Sequence, residues 1–227
     1  MNNADPALTH TGWSPSAAAT AIACFLGGLV GLGIVTAIEP VFPFPNLPEV
    51  PLQPSAKDLP LIAQHQVARG TYYSHNYAIS FAILGGCMAA AVAIMTTKTR
   101  KLASLLAGSV LAASAGAAVS YFVGRPLGVG IEQSKGFTIV EAGQLHLSVW
   151  LAMVVGLAFG IGWMQAGWTQ ALKAALSGLV AGGLAITVYL IAASVLFLSD
   201  NLGLLIPLSS AHKAFWLASC TVVLGLL

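Results

Sequence analysis

Six long apolar stretches, almost free of charge, occupy most of this 227-residue chain. They run near 16–38, 76–97, 102–123, 145–165, 174–198 and 206–227. A helix rising about 1.5 Å per residue needs about 20 apolar residues to cross a hydrocarbon core of roughly 30 Å. Each stretch meets that length. Charged residues make up 7% of the sequence and hydrophobic ones 57%, whereas a soluble domain carries about 25% charged residues. So few charges cannot coat a water-facing surface, and the solvent for most of the chain must be lipid. Backbone polar groups in lipid are satisfied only within a helix or a closed barrel, and no strand-like alternation is present. The expectation is an all-α integral membrane protein: a six-span helical bundle built as three helical hairpins, forming one transmembrane domain over 1–227. Ser209, Ser210, His212 and Lys213 fall in the first turns of the last stretch, so five spans is the fallback.

The densest basic cluster, Lys98, Arg100 and Lys101, lies in the turn between the second and third stretches. By the positive-inside rule that turn is cytoplasmic. Both termini and the turn near 166–173 then fall on the cytoplasmic side. Segments 39–75, 124–144 and 199–207 fall outside, and the expected location is the cytoplasmic membrane of a bacterium, crossed several times. The N-terminus lacks the basic region of a secretory signal, and 16–38 is too long for a signal's apolar core, so this stretch reads as a retained span. Cys24, Cys87 and Cys220 all lie within spans as small packing residues. A net charge of +2 with no basic patch excludes nucleic acid as a partner.

Segment 39–75 is a Pro-rich extracytoplasmic loop followed by a stretch that can form an amphipathic surface helix. Pro40, Pro43, Pro45, Pro48, Pro51, Pro54 and Pro60 fix φ and remove amide donors, which favours an extended, polyproline-like run. Val41, Phe42, Phe44, Leu47, Val50 and Leu52 make this run unusually apolar for a loop. Such a strap covers helix ends or docks against a partner. Asp58, Leu59 and Pro60 carry helix-start character, and a helix from Leu61 to Tyr73 can continue into the second span. Tyr72, Tyr73 and Tyr77 suit the headgroup level on that side, as Trp163 and Trp168 do on the other.

Small residues recur every four positions: Gly27 and Gly31, Gly108 through Ser120, Gly156 and Gly160, Gly178 and Gly182. Such faces let helix backbones approach closely and supply association energy in lipid. They fit packing within the bundle, a homo-oligomer, or contact with other membrane subunits.

Three histidines mark the candidate site. His75, His146 and His212 each stand near the start of an even-numbered span, with aromatics following at Phe81, Trp150 and Phe215 or Trp216. This is a weak threefold pattern, and internal repeats are common in transporters. Thr138 to Glu141 reads as a capping box, which would start the fourth helix at Thr138 and set Glu141 and Gln144 near His146. Three converging imidazoles with Glu141 could hold a divalent metal, and facing histidines could hold haem. The plainer reading places each histidine at the headgroups with Glu141 only capping its helix. No HxxH or HxxxH pair, CxxCH, P-loop, GxSxG or HExxH occurs. No charged residue lies near the middle of any span, which weighs against ion pumping.

These features point to a non-enzymatic protein. It is either permease-like, for a small solute or metal ion, or an integral subunit of a larger membrane complex. A permease requires a polar path lined by groups such as Asn76, Ser80, Ser148, Thr187 and Tyr189. A subunit requires no path. The competing class is a redox or metal-binding subunit using the histidines.

Overall fold

The computed structural model describes residues 17–38, 40–53, 55–96, 139–197, 206–207 and 209–225, together with Ala118 and Phe122. Apart from those two positions the expected third span lies outside the described residues, as do the Lys98–Lys101 cluster and the small-residue face at Gly108, Gly116 and Ser120.

The described elements are α1 (Ala17–Ile38), a single 3-10 turn (Ala56–Asp58), α2 (Leu59–Thr96), α3 (Ile139–Ala166), α4 (Trp168–Leu196) and α5 (Ser210–Gly225). No strand occurs among the described residues. Among the described residues, three helices are long and apolar enough to cross a membrane: Ala18–Ile38, Ala56–Met95 with its leading turn, and Trp168–Leu196.

Glycine spacing explains the packing of α1. It lies against α2 and, less extensively, α5. A Cβ on Gly27 would stand 2.5 Å from the Cys87 carbonyl oxygen, and one on Gly31 3.1 Å from the Leu84 Cα. Gly28 does the same toward α5, 2.5 Å from the Leu217 side chain. As α1 advances from Gly27 to Gly31 its contacts on α2 retreat from Cys87 to Leu84, so the pair is antiparallel. Cys24 is buried in this seam, as the packing reading of the thiols expects.

A second antiparallel pair is α3 with α4, the most extensive helix contact described. Gly167 alone separates them, at φ 82°, a left-handed conformation that glycine adopts without steric cost. The sequence suggested a longer turn near 166–173, but α4 resumes at once with Trp168. Gly162 packs on the backbone of Gln170 and Ala171, and Gly182 on Leu151 and Val154. Phe159, Trp163 and Trp168 cluster edge-to-face around this turn, with the Phe159 and Trp168 centroids 5.3 Å apart.

The outward faces are apolar. On α4, Leu176, Val180, Leu184, Val188, Ile191 and Val195 are all exposed. On α1, Ile22, Leu26, Leu29 and Val30 are too. In water such walls would be costly; in a bilayer they meet lipid tails.

At 38 residues, α2 is about 57 Å long, well beyond the roughly 30 Å of a hydrocarbon core. Its opening follows from local chemistry. The Asp58 carboxylate accepts hydrogen bonds from the Ser55 amide (2.8 Å) and hydroxyl (2.7 Å), and Pro60 sits early in the helix, where its missing amide costs nothing. The helix then runs unbroken into the apolar stretch.

Candidate functional site

Two clusters gather the chain's uncommon polar and aromatic side chains. One is the strap. Asn76 brackets the backbone of Phe42: its Oδ1 accepts from the Phe42 amide and its Nδ2 donates to the Phe42 carbonyl, both at 3.1 Å. Nδ2 also donates to the Tyr72 carbonyl at 3.0 Å. Seventeen residues toward the chain start from His65, the Pro48 carbonyl meets its Nε2 at 2.7 Å. Ring contacts reinforce both pins, Phe42 on His75 at 5.3 Å and Phe44 on Tyr72 at 5.6 Å. Tyr72, Tyr73 and Tyr77 continue the ring series along α2. The proline run is therefore laid along the first half of α2, with Leu52 fully exposed beyond the pins.

The other cluster lies inside the bundle, where α2, α3, α4 and α5 come together. Phe81 from α2, Trp150 from α3 and Trp216 from α5 form a three-ring group. The two indole centroids are 4.6 Å apart, and Phe81 meets them at 6.1 Å and 6.2 Å. One turn before each tryptophan stands a buried histidine, His146 and His212. Both rings meet Tyr189 of α4, at 5.7 Å and 5.9 Å between centroids. The Tyr189 hydroxyl is hydrogen-bonded to His212 Nε2 at 2.8 Å, and the His212 ring stacks on Phe197 at 4.3 Å and 4°. Because His146 and His212 share Tyr189 while Trp150 and Trp216 touch each other, α3 and α5 run in the same direction.

Residues four apart share a helix face. That rule selects the pairs His146–Trp150 and His212–Trp216, and on α2 it selects Tyr77–Phe81. His75 is six residues from Phe81, so it lies on a different side of α2 and packs on the strap instead. Among the described residues, no three of His, Cys, Asp and Glu lie close enough to hold a metal ion. The Glu141 side chain is outside the described residues; its backbone belongs to the first turn of α3. His212 Nε2 is engaged by the Tyr189 hydroxyl.

The groups expected along a polar path are dispersed. Asn76 holds the strap. The Ser80 hydroxyl donates to the Asn76 carbonyl at 2.8 Å and the Thr187 hydroxyl to the Gly183 carbonyl at 2.9 Å, each within its own helix. Thr187 is exposed on the outer wall of α4, whereas Tyr189, two residues on, is buried. The Ser148 side chain lies outside the described residues.

Three relationships were not anticipated in the sequence: the Asn76–Phe42 bracket, the His65–Pro48 pin and the Tyr189–His212 bond. The last had a partial signal in the repeated His-x-x-x-Trp spacing. The chain matches no protein-family model, no curated protein and no solved structure.

Proposed function

We propose that this protein is an integral, non-catalytic subunit of a larger membrane complex. It would cross the cytoplasmic membrane six times as three hairpins, with both termini on the cytoplasmic side. The observation that carries the reading is how the polar side chains are used. Asn76 and Ser80, four apart on α2, and Thr187, exposed on α4, are all spent on backbone within or beside their own helix, which argues against a solute path through them. The strap supports the same reading. It is pinned at two points yet presents Phe42, Phe44 and Leu52 outward, an apolar surface carried on a helix longer than the hydrocarbon needs. Small-residue faces at Gly27, Gly31 and Gly182 are used within the bundle, so the strap rather than those faces is the favoured contact with partners.

Gentle extraction from the native membrane, followed by native mass measurement, tests this. The expected result is a stoichiometric assembly well above the 23.2 kDa of one chain. A chain that always runs as a monomer rules the subunit reading out, and leaves a permease-like carrier as the next candidate.

A second reading, a redox or metal-binding subunit, is favoured by the convergence of His146 and His212 on Tyr189. Imidazoles buried in a membrane bundle are functional candidates by default. In this reading His146 and His212 would hold a divalent metal or haem, with Glu141 in the first turn of α3 as a further ligand, while His75 stays on the strap side of α2. Elemental analysis of chelator-free protein tests it. Stoichiometric iron, copper, zinc or nickel that His146→Ala removes would support it, and metal-free protein would exclude it.

A further inference from the structure

The mid-bundle ring cluster presents two indole N–H groups, those of Trp150 and Trp216, which are buried and meet no acceptor among the described residues. Trp150 is 1% exposed and Trp216 0%. An indole N–H donates and cannot accept. A buried donor left without a partner carries a desolvation cost, so the position selects for whatever supplies an acceptor.

The surroundings narrow what that can be. The rings in contact with the two tryptophans and one turn away are Phe81, His146, His212 and Tyr189. None of these carries a fixed charge, so a fully ionised guest would be buried without a counter-charge, which is strongly unfavourable. A water molecule would bring two hydrogens that need acceptors of their own. A carbonyl oxygen brings acceptors and no donors. The outward walls of α1 and α4 are apolar, so the natural source of such a guest is the bilayer.

We infer that the Trp150–Trp216 pair, with His146, Tyr189 and Phe81 around it, is a binding site for a neutral, flat, lipid-soluble carbonyl compound of the quinone class. The indole N–H groups donate to its carbonyl oxygens and the aromatic rings pack on its faces and edges. The inference needs no metal and does not depend on the subunit reading. A chain that binds quinone but runs as a monomer would keep the one and lose the other.

The test uses the full chain in nanodiscs, with a short-chain benzoquinone as probe. Titration should quench tryptophan fluorescence along a saturating curve. Trp150→Phe and Trp216→Phe should each weaken the midpoint by about tenfold, the value of one hydrogen bond, while Trp163→Phe should leave it in place. In the wild-type protein labelled with 15N-tryptophan, two of the five indole resonances should move downfield as quinone saturates. This second measurement needs no variant, so it decides the matter even if a substitution unfolds the bundle. Linear quenching without saturation, or indole resonances that stay fixed, would overturn the assignment. Fixed resonances would mean that water or another part of the chain already satisfies both donors.

Discussion

The side-chain amide of Asn76 closes a two-bond ring with the backbone of Phe42, 34 residues earlier, donating and accepting at 3.1 Å each. A primary amide is the side chain that can serve one residue's N–H and C=O at once. Here it fastens an otherwise unsupported proline run to the first half of α2. Asn76→Asp keeps the acceptor and loses the donor, whereas Asn76→Leu loses both.

The strap should respond in that order. Hydrogen exchange at the Phe42 amide should speed up about tenfold or more in Asn76→Leu, in line with the loss of roughly 1–1.5 kcal/mol per hydrogen bond. Asn76→Asp should lie between that variant and wild type. Equal protection in all three would show that the proline run holds its place without the bracket.

Close approach of α1 to α2 predicts opposite outcomes at two glycines. Gly27→Ala places a methyl 2.5 Å from the Cys87 carbonyl oxygen, a backbone atom that cannot rotate away. The helices must separate, at a cost of about 1–3 kcal/mol. Gly33 has nothing within 4 Å of its would-be Cβ, so Gly33→Ala should be neutral or stabilising by up to about 1 kcal/mol through helix propensity. Thermal unfolding in a fixed detergent compares them directly. A Gly27→Ala protein as stable as wild type would contradict the packing of α1.

Tyr189→Phe removes the hydroxyl from His212 Nε2 and leaves the ring contacts with His146 and Phe215 intact. Loss of a buried hydrogen bond with its partner retained should cost about 1–3 kcal/mol. The same substitution should alter the 15N shifts of the His212 ring, because the hydrogen bond across the 2.8 Å contact disappears. Unchanged histidine shifts would mean that the two side chains are not bonded in the membrane.

Gly167, at φ 82°, permits the one-residue break between α3 and α4. Gly167→Val should strain that turn by about 1–2 kcal/mol, since a β-branched residue strongly disfavours the left-handed region. Gly183→Ala serves as control, because its Cβ would meet nothing within 4 Å. If both variants melt together with wild type, the turn has relaxed to a different conformation.

Hydropathy alone determined the material of this fold. A chain with 7% charge has lipid as its main solvent, lipid demands internally satisfied backbones, and helices follow wherever about 20 apolar residues run together. The start of α2 near Asp58 and the packing glycines of α1 and α4 were legible for similar reasons, since capping chemistry and close backbone approach are local rules written in short spacings. Other features required the tertiary structure. Asn76 and Phe42 are 34 residues apart, and Tyr189 and His212 are 23 apart; no periodicity encodes such pairs. His75 resembled His146 and His212 in one dimension, being near the start of an apolar span. Its rotation about the helix axis, six residues from Phe81 instead of four from a tryptophan, turned it to the strap. Position along a helix can be counted in the sequence, but which residue of another helix meets it depends on how the helices are packed, and that was settled only when α3 and α5 closed on Tyr189 and α2 brought Phe81 to Trp150 and Trp216.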